Sequence, residues 1–134
     1  MRGRVHVGPG VRINVEPGAR VVLEDGCRLA ERCRIEAGGG TVRIGRAARI
    51  GERAVLVAVA GIDIGAHCDI GDWAVIADAE PAFAERPAPV RVGEGARIGL
   101  HAAVVAGATI APGEVVSPYE TRTGGGGGAG RLSL

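Results

Sequence analysis

Residues 89–116 read PVRVGEGARIGLHAAVVAGATIAPGEVV, and within them Val92, Ile98, Val104, Ile110 and Val116 stand six apart. Two places before them come Val90, Ala96, Ala102, Ala108 and Glu114, small or aliphatic except for the last. Gly95, Gly107 and Gly113 fall three places after Val92, Val104 and Ile110. A six-residue period matches neither a helix, at about 3.6, nor a simple strand, at about 2. It matches a coil of short strands separated by tight corners. Three beats close a triangular coil of about eighteen residues. Side chains along a strand alternate faces, so every second apolar position points inward. Stacked coils then bury ladders of Ile and Val with Ala or Cys between, and the glycines supply left-handed backbone at the corners.

The same beat runs backwards along the chain. Ile44, Ile50, Leu56 and Ile62 carry it, and after a two-residue slip Ile64, Ile70 and Ile76 continue it. Ala48, Ala54, Ala60, Cys68 and Ala74 fill the small positions. Earlier come Leu23, Leu29 and Ile35, each preceded by Val21, Cys27 or Cys33, and the pattern opens at Val5, Val7, Val11 and Ile13. Gly38, Gly39 and Gly40 break the phase and predict an irregular corner. Residues 77–88, ADAEPAFAERPA, have no beat and carry two prolines. They read as a loop protruding from one corner. The expected architecture is all-β: a single-stranded parallel β-helix of about five to six coils over residues 1–118, with loop 77–89 inserted. Residues 119–134 read as a flexible Gly-rich tail.

Composition agrees. At 134 residues the chain is one domain, 46% hydrophobic but only 2% aromatic, so its core must be built from aliphatic side chains. The formal charge is +1 and the arginines are scattered, leaving no basic stripe for nucleic acid. Cys27, Cys33 and Cys68 sit in the slot that Ala fills elsewhere and read as small buried hydrophobes of a reducing, cytoplasmic compartment. No Cys or His spacing argues for a metal. No signal peptide and no membrane-spanning run is expected.

This pattern resembles the hexapeptide-repeat, left-handed parallel β-helix proteins, and the left hand is what the resemblance implies. Residues 64–76, IGAHCDIGDWAVI, and 90–116, separated by a loop, are most similar to O-acetyltransferases of the maltose, galactoside and nodulation type. That resemblance implies acetyl-CoA, or another acyl-CoA, as co-substrate. It also implies a homotrimer with the coenzyme groove between subunits, and an acceptor hydroxyl on a sugar or similar small molecule. By position, Gly99, Leu100, Ala106, Gly107 and Ala108 would line the coenzyme groove. The chain departs from the family twice. The loop His of the family is absent, and Glu80 takes its place in the run Asp78-Ala79-Glu80-Pro81. A final coil that helps hold the coenzyme is replaced by SPYETRTGGGGG at 117–128.

Acyl transfer to a hydroxyl needs a base beside the acceptor and donors for the oxyanion. The candidate catalytic residues are Glu80, His101 and Asp78. A carboxylate is a poor base for an alcohol unless its surroundings raise its pKa, and the alternative is that Asp78 and Glu80 are solvated loop carboxylates. His101 and His67 fall three places after Ile98 and Ile64, at corners, where His tolerates left-handed backbone. His101 reads either as a turn residue or as a substitute base and ligand contact. Trp73 is expected to face outward from a corner, and Phe83 lies in the loop. Both read as assembly contacts or as an apolar wall for a ligand. Two further functions stay open. One is a non-catalytic β-helix scaffold or binding module. The other is a metal enzyme like the γ-class carbonic anhydrases, for which His67 and His101 lack the nearby companion that such sites use.

Overall fold

The computed structural model describes residues 4–78 and 88–124. The six-residue beat appears as a procession of short strands. The first coil is β1 (His6–Val7), β2 (Arg12–Val15) and β3 (Arg20–Leu23). The second is β4 (Arg28–Leu29), β5 (Arg34–Ala37) and β6 (Thr41–Ile44). The third is β7 (Arg49–Ile50), β8 (Val55–Ala58) and β9 (Ile62–Ile64). The fourth is β10 (Asp69–Ile70), β11 (Val75–Ala77) and β12 (Val90–Val92), with the loop between the last two. The fifth is β13 (Arg97–Ile98), β14 (Ala103–Val105) and β15 (Thr109–Ile110). β16 (Val115–Val116) and β17 (Thr121–Arg122) begin a sixth.

Every third strand pairs in parallel, which gives three sheets and a three-faced parallel β-helix. The first face is β1-β4-β7-β10-β13-β16, the second is β2-β5-β8-β11-β14-β17, and the third is β3-β6-β9-β12-β15. The described residues contain no helix, and so none among them is long and apolar enough to cross a membrane. The ladder runs past residue 118, because β17 pairs with β14.

Register places like on like in the interior. On the first face Leu29, Ile50, Ile70 and Ile98 stack in one column, each at most 2% exposed. On the second, Ile35, Leu56, Ile76 and Val104 do the same at 0%. Each such side chain contributes roughly 1.5–3 kcal/mol on burial. Cys27, Cys33 and Cys68 are buried and unpaired in the small-residue slots. Cys68 donates its thiol to the Gly93 carbonyl at 3.0 Å, and burial pushes the Cys33 thiol up to about 11.

The corners carry the left-handed backbone that the spacing requires. Gly95, Gly107 and Gly113 have φ of 73°, 77° and 73°. Seven described non-glycine residues three places after an aliphatic adopt the same conformation, among them His67, Trp73 and His101 at 60°, 62° and 57°, whereas Val59, three after Leu56, does not. The triple glycine is a corner between β5 and β6 where a side chain cannot fit at Gly39 or Gly40. A Cβ on Gly39 would stand 2.5 Å from the Val59 carbonyl oxygen, and one on Gly40 would stand 2.1 Å from that of Ala60. The phase break at Gly38, Gly39 and Gly40 is therefore close packing of one corner on the corner of the next coil.

Candidate functional site

The candidate residues divide between two edges of the prism. Along the edge joining the first and second faces, the left-handed corner residues of successive coils form one column. It runs Gly10, Arg32, Arg53, Trp73, His101, Tyr119. Backbone bonds tie the column together. The Trp73 N–H donates to Glu52 O at 2.9 Å, that of His101 to Asp72 O at 3.0 Å, and that of Tyr119 to Leu100 O at 2.9 Å. The side chains then stack. His101 lies parallel to Trp73 with centroids 5.7 Å apart, and to Tyr119 at 5.2 Å. The Arg53 guanidinium covers the other side of Trp73 at 5.2 Å, a cation–π contact. Trp73 and Tyr119 remain 47% and 69% exposed. The rings cover the faces of the His101 imidazole and leave its nitrogens at the rim. Beside them a groove of about 390 Å³ is lined by Arg12, Arg32, Arg34, Arg53, Val55 and Trp73. Gly99 and Leu100 belong to this edge. A shallow recess of about 350 Å³ there includes Leu100, Arg97 and Pro118. A Cβ on Gly99 would meet the Pro118 backbone at 2.6 Å, so Gly99 is glycine for packing.

The edge joining the second and third faces holds the loop root. Asp78 follows β11 directly and is fully buried. One of its oxygens accepts the Val59 N–H at 2.7 Å. The other accepts those of Ala60 at 2.7 Å and Gly61 at 2.5 Å. A tight corner leaves such amides without strand partners, and a carboxylate supplies three acceptor positions at once. The main chain closes the neck of the loop. The Ala88 N–H donates to Asp78 O at 2.9 Å, and the Gly107 N–H donates to Ala88 O at 3.0 Å. Ala106, Gly107 and Ala108 therefore lie against the loop's root, with the Gly124 N–H on Ala106 O at 3.0 Å. Residues 79–87, with Glu80 and Phe83, lie outside the described residues.

Sequence spacing explains this division. Residues one beat apart, such as His101 and Gly107, fall on successive edges, whereas residues three beats apart share one. His101 and Asp78 therefore do not meet within one chain, and His67 lies on the third edge, in line with Ala47, Gly95 and Gly113. Linear reading missed the arginine–aromatic column, although its signal was present. Arg32, Arg53, Trp73, His101 and Tyr119 each stand three places after a core aliphatic.

Two solved structures share this architecture. Both are variants, Asp to Ala and Asp to Asn, of AntD, an N-acyltransferase from Bacillus cereus, in complex with dTDP and coenzyme A. The first superposes with a TM-score of 0.64 at 17% identity, over 83% of this chain and 71% of that one. The second gives 0.62 at 18% identity, over 87% and 72%. At this identity the likeness shows the fold. No family model and no curated protein matches the chain.

Proposed function

We propose that the chain is an acyl-CoA-dependent acyltransferase of the hexapeptide-repeat class, working as a homotrimer on a hydroxyl of a sugar or similar small molecule. One observation carries this reading. The inserted loop leaves the β-helix through a neck pinned by Asp78 and Ala88, directly against Ala106, Gly107 and Ala108. In the resembled enzymes the loop carries the catalytic His, and by position Ala106, Gly107 and Ala108 would line the coenzyme groove here. AntD shares the fold and was crystallised with coenzyme A, which supports the same coenzyme here.

The outer surface of the second face supports assembly. Val55, Val75 and Ala103 point outward side by side. Val75, Leu100, Val59 and Trp73 are 38%, 40%, 45% and 47% exposed. Apolar surface of this kind marks a contact. Copies packed there would bring the loop edge of one chain towards the His101 edge of the next. In this arrangement His101 takes the acceptor proton, Asp78 holds the loop root in place, and Glu80 is the alternative base by its position in the sequence.

Calorimetry with acetyl-CoA and coenzyme A, with thioester consumption over sugar and amino-sugar acceptors, tests the reading. Binding with acyl transfer that falls by about a hundredfold or more in His101→Ala agrees with it. No binding at millimolar coenzyme and no product overturns it. Transfer confined to amines would move the acceptor class, since a neutral amine brings its own lone pair. A second reading, a non-catalytic scaffold, is favoured by the full engagement of the Asp78 oxygens and the stacking of His101. It predicts a stable oligomer without coenzyme affinity.

A further inference from the structure

The two ends of the β-helix are finished differently. At the far end Ile110 and Val116 are 1% and 0% exposed. There Arg122 forks between Glu114 and Glu120, and those carboxylates accept the N–H groups of Ala111 and Ser117. At the near end the same interior ladders are open. Val7 is 55% exposed above Leu29 at 2%, Ile13 is 37% above Ile35 at 0%, and Val15 is 48% above Ala37 at 1%. The backbone is open as well. The N–H groups of Arg12 and Glu16 reach Cys33 O and Ala37 O in the second coil. Because strand amides alternate in direction, those of Ile13 and Val15 face the open end. An apolar core and an unpaired strand edge coincide there, a combination that solenoids ordinarily cover.

The sequence of β2 and the residue after it selects the cover. Arg12-Ile13-Asn14-Val15-Glu16 reads cation, apolar, polar, apolar, anion. Turned end for end about Asn14, it complements itself. Arg12 then faces Glu16 of a second copy, Ile13 faces its Val15, and each Glu16 faces an Arg12. A parallel approach would set Arg12 on Arg12. Arg12 and Glu16 make no ion pair among the described residues. Glu24, at the corresponding place after β3, is already held by Arg43 at 3.1 Å, so β2 is the strand with both end charges unspent.

We infer that two copies of this chain join head to head through the first coil, with β2 pairing antiparallel to β2 of the second copy around Asn14. A two-fold contact of this kind is isologous and closes on itself. It doubles whatever particle the lateral faces build, and it does not depend on acyl transfer or on the coenzyme.

The test is particle mass by sedimentation of the full chain, with hydrogen exchange as a second readout. The wild type should hold twice the number of chains found in Ile13→Glu. Its Ile13 and Val15 amides should be protected in the large particle and exposed in the small one. Arg12→Glu alone, a surface change that leaves the core intact, should weaken the pairing by roughly tenfold, from two lost exposed ion pairs replaced by repulsion. The double variant Arg12→Glu with Glu16→Arg restores the complementarity and should recover the large particle. The inference is overturned if Ile13→Glu leaves the mass unchanged while folded, or if the double variant is no better paired than the single. Protection of Ile13 and Val15 in an undoubled particle would also overturn it, because another part of the chain would then cover the end.

Discussion

Asp78→Ala probes the loop root most directly. The wild-type carboxylate is fully buried and accepts three backbone N–H groups, those of Val59, Ala60 and Gly61. Hydrogen bonds to a charged acceptor contribute roughly 1.5–3 kcal/mol each. Val59 is 45% exposed, so water can replace one of the three at small cost. Ala60 and Gly61 are partly covered, and their amides would be left short of acceptors. The expected loss is therefore about 3–5 kcal/mol, a large share of the stability of an ordinary domain. Asp78→Asn should cost less, about 2–3 kcal/mol. Its amide oxygen can keep the Ala60 and Gly61 bonds, while its NH₂ group faces the Val59 N–H, donor to donor. Urea unfolding measures the global loss, and amide exchange at residues 59–61 measures the local one. A loss below about 1 kcal/mol in the alanine variant, or unchanged exchange at Ala60 and Gly61, would refute the assignment of Asp78 as the clamp of this corner.

Three further expectations follow from the same geometry. Burial raises the thiol pKa of Cys27, Cys33 and Cys68, so a thiol reagent at pH 8 should leave the native protein unlabelled and modify all three only after denaturation. Labelling of the folded chain would contradict the packing. Arg122 lowers the pKa of Glu114 and Glu120, chiefly by hydrogen bonding to each. Their contribution is therefore present above the ordinary carboxylate value of 4.5 and is lost as pH falls below it. These side chains are about a third exposed, so the effect should be only about 1 kcal/mol. Melting curves between pH 7 and 3 should show it in the wild type and lose it in Arg122→Ala. Ala47 holds φ of 57°, a conformation that costs a non-glycine residue about 1 kcal/mol. Ala47→Gly should therefore raise stability by about 0.5–1 kcal/mol in chemical denaturation, and a decrease would show that the corner is not strained.

Periodicity was enough to establish the β-helix. A six-residue beat of Ile, Leu and Val with Ala or Cys two places earlier has no low-energy solution other than stacked coils, because only that arrangement buries every beat. The corner residues were legible for the same reason. Where a tight corner follows the beat, the residue three places after a core aliphatic turns left-handed, whether it is Gly95 or His101, while Val59 after Leu56 and Gly38 after Ile35 do not. The order of residues along the chain could not reveal neighbours between coils. The length of each coil decides which residues stack, and these lengths are unequal: Arg28 stands over Arg49, whereas Arg97 stands over Val115. Only the folded chain shows that Arg53, Trp73, His101 and Tyr119 make one column. It also shows that Asp78 turns inward to three amides of the coil before it, and that Ala106, Gly107 and Ala108 close the loop's neck. The sequence by itself determined what each position must be, inward, outward or corner, because that is local stereochemistry. The tertiary structure decided which positions meet, because stacking register sums every residue in the coil between them.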